Sequence, residues 1–518
     1  MIDLRPTLPS PRPPGRTLLL LLALGFLLRT LRFLQDWPLW WNEAFLAVNL
    51  FERDLPDLLQ PLAYRQVCPI GFLATVKGAI NLLGPSTWSL RLIPWLASLA
   101  ALAVVASATR YIPNPRAGLI GLALLTVAYH PVQLGSELKP YSTDLLASSI
   151  ILHRALAWHA NPAQPTPLIH LALLSLPLML VSYPAALVLA AMAAASSLRL
   201  RQIPPSSRRA WFEWSGILAL SALLVRHLAS PQAAAATADP LNEYLHDGFP
   251  ASLHPHHLGH WLLQLATGRL LAFPFGDPGL TSLAGLGLAL VGLATLLRHD
   301  RPLATLLAAP FAASLAAGLL RLYPLGGHPR VSQHLLPCLA FILGYGLDRL
   351  FACLPVSRLQ RPRLAWLILI TIGLAPLIRN YAQPFHTPRD QAARHFAQSF
   401  WPRFGPDARV LCLRRDLRLF PIEDPNPDVA LYLANRSLYA PPARRRPPHS
   451  LWLVHYDAPG LAPDDLPTPP NAPPLQLAAT HLLPHHGRRG ARVRVFQPLA
   501  HSLPGTPRPQ SLQSTVQR

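Results

Sequence analysis

With 518 residues, 51% of them hydrophobic and only 13% charged, the chain carries far less charge than the about 25% usual in soluble globular domains, and its mean hydropathy is +0.28. Lipid is therefore the main solvent to reason from. The formal net charge of +21, from 45 Lys and Arg against 24 Asp and Glu, lies mostly between apolar blocks. Positive loops that set membrane topology are placed in this way, so the charge does not argue for nucleic acid as a partner.

In chain order, the first apolar run, TLLLLLALGFLLRTLRFL from Thr17, is followed by QDWPLWW and by no small-residue cleavage site. It is expected to be a retained first span anchored by interfacial tryptophans rather than a signal peptide. Further spans are expected near 91–109, 117–133, 141–158, 168–181, 184–198, 211–228, 279–297, 303–320, 334–350 and 363–379. The pair 168–181 and 184–198, split by Ser182-Tyr183-Pro184, also fits one kinked helix, which would reverse everything downstream. With Arg5, Arg12 and Arg16 inside, about eleven spans put Arg110 and Arg116, segment 199–209, RHDR at 298–301 and the Arg-rich 349–363 all inside, which favours two spans there.

Three long segments then fall outside: 35–90, 229–278 and everything after 380. AFLAVNLF after Asn42 and Glu43, and PIGFLATVKGAINLLG from Pro69, have helical spacing and are expected to lie along the outer membrane face with their apolar sides in lipid. Past 380, VLCL, VALYLA, LWLVHY and ARVRVF are strand-like runs between Pro-rich turns, giving a small mixed soluble domain at 381–500 and a disordered tail at 501–518. Cys68, Cys338, Cys353 and Cys412 form no CxxC and no metal spacing, although Cys68 and Cys412 could meet on an oxidising side.

The chemistry gathers at outer crossings. SELKPYSTD, 136–144, lies between the third and fourth spans, and Pro140 lets Tyr141 to Asp144 open the fourth helix. Tyr141 and Asp144 then share a face, the positive helix end favours the Asp144 carboxylate, and Glu137 and Lys139 lie on the lead-in. Singly, Tyr141 and Lys139 also fit a capped loop with an interfacial tyrosine. Four polar groups at a membrane boundary point instead to function. Glu43 could deprotonate an acceptor hydroxyl or bind a divalent ion, or else be an acidic first-turn residue of an interfacial helix. Arg330, in RLYPLGGHPRVSQHLLP at 321–337, could clamp a lipid-linked phosphate, or be an ordinary interfacial arginine. His254, His256, His257 and His260 include an i, i+4 pair, but no HExxH frame accompanies them, so weak metal affinity or simple exposure is expected. No P-loop, dinucleotide fingerprint or GxSxG supports ATP-driven pumping or serine hydrolysis.

The order WWNEAFLAVNL (40–50), PLAYRQVCPIGFLATVKGAINLLGPSTWSLRLIPWLASL (61–99), SELKPYSTDLL (136–146) and RLYPLGGHPR (321–330) resembles the polyprenyl-phosphate-dependent membrane glycosyltransferases of the GT-C superfamily. In particular it looks like the bacterial relatives of protein O-mannosyltransferases and aminoarabinose transferases, over about residues 17–350. The resemblance implies an all-α polytopic membrane protein of about eleven transmembrane helices with outer juxtamembrane helices (1–380), followed by a mixed α/β extracytoplasmic domain. It also implies the bacterial inner membrane, with the N-terminus cytoplasmic.

The family's first outer loop usually carries an Asp-Glu pair. Glu43 matches the Glu, but Asn42 stands at the Asp position, and an amide is no base at neutral pH. The resemblance therefore assigns catalysis to Glu43 or Asp144, with Asn42 the departure. Lys139 and Tyr141 match its Lys-Tyr region, Lys139 and Arg330 its phosphate contacts, and Glu137 and Arg91 accompany them. The implied reaction inverts the anomeric carbon: an acceptor hydroxyl or amine attacks, and polyprenyl phosphate leaves. The partners are a lipid-linked sugar donor, membrane lipids and a protein, lipid or glycan acceptor, with Mg or Mn allowed as cofactor. The competing readings are a catalytically silent scaffold of the same fold, for which Asn42 speaks, and a lipid or solute transporter.

Overall fold

The computed structural model describes residues 15–237, 248–353 apart from 275, 277 and 327, and beyond these 371, 378, 381–382, 384, 388–404, 409–413, 419–420, 427–439, 451–456, 475–483 and 491–498. The chain divides into two units, one of Met1–Asp36 with Glu52–Pro384 and one of Trp37–Phe51 with Phe385–Arg518.

The first unit is helical throughout its described residues: α1 (Gly15–Leu34), then, past α2 (Trp41–Glu52), α3 (Ile70–Leu83), α4 (Thr87–Ala108), α5 (Pro115–Val127), α6 (Tyr129–Gln133), α7 (Tyr141–Ala160), α8 (Thr166–Val181), α9 (Ala185–Ser197), α10 (Pro205–Thr237), α11 (Pro255–Thr267), α12 (Leu280–His299), α13 (Arg301–Leu319) and α14 (Leu336–Cys353). Among the described residues six helices are long and apolar enough to cross a membrane, or seven if α5 and the segment 129–136, bent by 52°, count as one. The chain is thus an all-α polytopic membrane protein in this unit. The six are α1, α4, α10, α12, α13 and α14 with their flanking turns, while α3, α8 and α9 are apolar but shorter. The 20-residue α7 is not among the six, because Asp144, His153, Arg154 and His159 dilute its apolar residues. The span expected at 363–379 lies outside the described residues except for 371 and 378.

Local chemistry explains where these helices start. Ser86 and Ser89 cap α4 reciprocally, each side chain bonding the other's amide at 3.0 and 3.1 Å. Asn114 accepts from the Arg116 and Ala117 amides ahead of Pro115 in α5, and Asp300 accepts from Leu303 N–H at the head of α13. The break at Ser182-Tyr183-Pro184 separates two helices, α8 and α9, rather than kinking one, since Pro184 has no amide to continue the ladder and Ser182 is extended.

Close backbone approach holds the centre. α14 packs against α5 on one side and α12 on another. A Cβ on Gly344 would collide with the Ala117 carbonyl, and one on Gly346 with the Leu288 carbonyl.

Two sequence expectations about helices change. Residues Asn42 to Leu50 of α2 are all buried in protein, so this helix does not lie with an apolar side in lipid; a helix apolar around most of its girth is an interior helix. α3 buries Phe72, Leu73, Val76 and Ile80 against α4 and α8, while Leu82 and Leu83 are exposed.

Beyond Phe385 the second unit contains α15 (Pro388–Phe404), α16 (Pro427–Tyr439) and a five-stranded sheet. Its strands are β1 (Arg409–Leu413), β2 (Leu419–Phe420), β3 (Leu451–Tyr456), β4 (Leu475–Leu483) and β5 (Ala491–Pro498), in the order β2-β1-β3-β5-β4. β1 and β3 pair in parallel and the other pairs are antiparallel. VALYLA, expected as a strand, is the body of α16: Leu431, Ala434 and Asn435 share its buried side at helical spacing. The tail 501–518 lies outside the described residues.

Candidate functional site

The bend after α5 is what delivers SELKPYSTD to its place. The chain turns at Ala128, where the Tyr129 amide bonds Pro274 O at 3.0 Å, and runs through α6 and a 3-10 turn at Leu134–Ser136. That turn packs on α4. Arg29, buried in α1, fixes the bend: its guanidinium donates to Leu125 O and Thr126 O at 3.0 and 3.1 Å and to Ser98 Oγ on α4 at 3.0 Å.

α7 then opens at Tyr141, with Pro140 in the capping position and Asp144 N–H bonded to Pro140 O at 2.8 Å, as the proline implied. Ser142 Oγ donates back to Leu134 O, and Thr143 Oγ1 donates to Val181 O at the end of α8. Asp144 is 4% exposed and its Oδ1 has no hydrogen-bond partner. Ser182 lies beside it, but its hydroxyl makes no bond of normal geometry.

Lys139 is 7% exposed, and its Nζ donates to Gln66 Oε1 at 2.6 Å. Gln66 belongs to the segment between α2 and α3, where Tyr64 and Arg65 hold left-handed φ values of 58° and 51°; such non-glycine conformations cost energy and mark positions fixed by their surroundings. The next residues are clamped: Cys68 N–H donates to Gln232 Oε1 at 3.0 Å, Gln232 Nε2 donates to Leu58 O at 2.9 Å, and Tyr183 Oη donates to Cys68 O at 3.1 Å. Burial pushes the Cys68 thiol up; the Lys139 charge opposes this and the Asp144 charge adds to it. Cys68 is a free thiol.

Tyr323, from the loop after α13, reaches the same place. Burial raises its phenol well above the ordinary value, with further contributions from Asp144 and Tyr141. Its Oη donates to Val331 O at 3.1 Å and its ring meets His334 edge-on at 5.6 Å. Val331 and Arg330 lie in the 3-10 turn Pro329–Leu335, which packs on α7. A cleft with about 220 Å³ of empty space borders this turn, lined by Gln264, Arg269, His328 and Ser332 among others.

Of the residues singled out in sequence, the fold brings together Lys139, Tyr141 and Asp144, with buried Glu137 bonded through its carbonyl to Lys139 N–H. Arg330 is buried on the turn against α7, and Arg91 is buried in the first turn of α4. Asn42 and Glu43 are buried in the first turn of α2, within the second unit. The four histidines at 254–260 are exposed, and among the described residues no three His, Cys, Asp or Glu side chains converge as a metal site. Gln66, Tyr183, Gln232 and Tyr323 were not read as site residues in sequence, and Cys68 was read only as a possible partner of Cys412; the fold is what brings them in. Arg29 did carry a signal, as a cation inside an apolar run.

No protein-family model matches the sequence, and no curated protein matches it. Solved structures do. ArnT from Cupriavidus metallidurans in the apo state aligns with a TM-score of 0.56 at 13% identity, covering 92% of this chain and 97% of that one. The same enzyme bound to undecaprenyl phosphate aligns at 0.52 and 14% identity with the same coverage. The class defined is a polytopic membrane protein with the fold of the ArnT structures. At this identity the likeness is one of fold, shared with the ArnT structures over nearly the whole of both chains.

Proposed function

We propose that the chain is an inverting glycosyltransferase that moves a sugar from a polyprenyl-phosphate donor to an acceptor on the extracytoplasmic side of a bacterial inner membrane, with about eleven spans and a mixed α/β extracytoplasmic domain. The observation that carries this reading is the gathering of Lys139, Tyr141 and Asp144 at the head of α7, with Lys139 and Asp144 buried, on a fold shared with a protein seen bound to undecaprenyl phosphate.

In the step proposed, an acceptor hydroxyl or amine attacks the anomeric carbon, and the bond from that carbon to the phosphate oxygen breaks. The electron pair leaves with polyprenyl phosphate, and the acceptor proton passes to a carboxylate. Lys139 and Arg330 oppose the charge that grows on the leaving phosphate, the interaction that accelerates the reaction because it strengthens in the transition state. A phosphate is a good enough leaving group without an acid to protonate it, so one base suffices where glycosidases use two carboxyl groups. Asp144 is a candidate base, because its Oδ1 makes no bond within the chain; Glu43 is the other. Tyr141 and Glu137 shape the donor site, and Arg91 supports it from α4. A divalent cation such as Mg or Mn, were one to take part, would be held by Glu43 and would help neutralise the phosphate.

Asn42 favours a second reading, a silent scaffold that binds the lipid phosphate without turnover. Reconstituted chain given polyprenyl-phosphate sugars separates the two: release of free polyprenyl phosphate with an acceptor present supports the transferase, and binding without release supports the scaffold.

A further inference from the structure

A second polar cluster lies along α7 far from Asp144. His153 is twelve residues from Tyr141, about 18 Å along the helix axis, toward the end where Arg199 meets His159 at 3.2 Å. His153 Nε2 faces two donors, Arg110 Nη2 at 3.3 Å and Ser107 Oγ at 3.1 Å. A guanidinium cannot accept a hydrogen bond, so Nε2 is the acceptor and the ring proton sits on Nδ1. That Nδ1 is buried without a partner, on a side chain only 4% exposed. One turn-step away Arg154 Nη1 meets His170 Nδ1 of α8 at 3.0 Å, so that imidazole too acts as an acceptor. Tyr111 closes the cluster, its ring edge-on to His153 at 5.3 Å and under the Arg110 guanidinium at 4.9 Å.

Two full positive charges therefore meet neutral imidazoles, and among the described residues neither forms an ion pair with a carboxylate. Both act on His153. Each guanidinium spends one N–H on an imidazole and keeps further donors, and two such forks near one helix end suit an anion with several oxygens. Basic pockets between membrane helices offer such a place to lipid headgroups.

We propose that Arg110, His153, Arg154 and His170 form a phosphate-binding site, distinct from the candidate transferase site and independent of that assignment. The phosphate comes as the headgroup of an anionic phospholipid or as free phosphate. Its oxygens accept from the Arg110 and Arg154 guanidiniums, which the two imidazoles hold in place.

The test uses the full chain in nanodiscs of phosphatidylcholine, the same with phosphatidylglycerol, and phosphatidylcholine with inorganic phosphate, read by native mass spectrometry and thermal unfolding. Retention of phosphatidylglycerol with a raised unfolding temperature, weakened about tenfold in Arg154→Gln and in Arg110→Gln, is the expected result for a headgroup. The same pattern with inorganic phosphate alone assigns free phosphate. His153→Gln, which keeps the arginines, is expected to weaken retention less than either. Should the arginine variants fail to fold, the wild type alone decides: no preference for phosphatidylglycerol over phosphatidylcholine and no response to phosphate overturns the proposal. Retention unchanged in the folded variants overturns it equally.

Discussion

Lys139 Nζ donates a 2.6 Å hydrogen bond to Gln66 Oε1, tying the head of α7 to the strained segment before α3. The bond holds a buried ammonium at a fixed point rather than leaving it to swing on a four-carbon stem. Lys139→Met is expected to raise the KM for a polyprenyl-phosphate donor about tenfold to a hundredfold, the usual worth of a charge-assisted bond to phosphate. Gln66→Ala keeps the charge and loses the anchor, so a smaller rise is expected. Steady-state kinetics on folded variants checks both.

Arg29 supports the site from a distance. Arg29→Leu frees the Leu125 and Thr126 carbonyls at the bend, and a loss of about 1–3 kcal/mol is expected for buried acceptors deprived of their donor. The unfolding temperature in detergent should fall.

Gly344 permits α14 to approach α5 at the Ala117 carbonyl. Gly344→Val forces the helices apart, and overpacking of this kind costs about 1–3 kcal/mol. Gly216, with nothing near its missing Cβ, is the control: Gly216→Ala is expected to leave thermal stability unchanged or slightly raised.

Asp300 gives a pH signature. Burial alone would raise its carboxyl, but the His159 hydrogen bond and charge, the Leu303 amide and Arg199 outweigh burial and hold it below the ordinary value of 3.8. A depressed carboxyl contributes stability that is complete above its unfolded value and is lost as pH falls through the folded one. The unfolding temperature should therefore drop as acid takes pH below 3.8, and Asp300→Asn should flatten that drop while keeping the cap. Asp300→Ala removes the cap as well, a further cost of about 1 kcal/mol.

The head of α7 was legible in sequence because Pro140 dictates a helix start and because ionisable groups are costly at a membrane boundary. The separation of α8 from α9 was legible from charge placement, because only two spans there keep the basic loops on one side; the structure adds the local cause, a proline without an amide. What escaped was long-range. Gln66, Cys68, Tyr183, Gln232 and Tyr323 are scattered over about half the chain, and no local spacing announces that they belong together. α2 misled because an apolar helical run reads alike whether lipid or protein surrounds it, and VALYLA misled because a short apolar run does not reveal its period. The bend at Ala128 did have a local sign, since Pro131 in the first turn of α6 has no amide for the Val127 carbonyl; what the sequence hid is that Arg29 and Pro274 hold it.

The most direct test of the central claim is transfer of radiolabel from a panel of polyprenyl-phosphate sugars in membranes expressing the wild type, Asp144→Asn and Glu43→Gln side by side. Label moving to an acceptor in the wild type, and falling about a hundredfold or more in one carboxylate variant that still folds, is the predicted result. No transfer from any donor, with lipid-phosphate binding intact, would contradict the account and leave a silent scaffold, with Asn42 the residue to revert first.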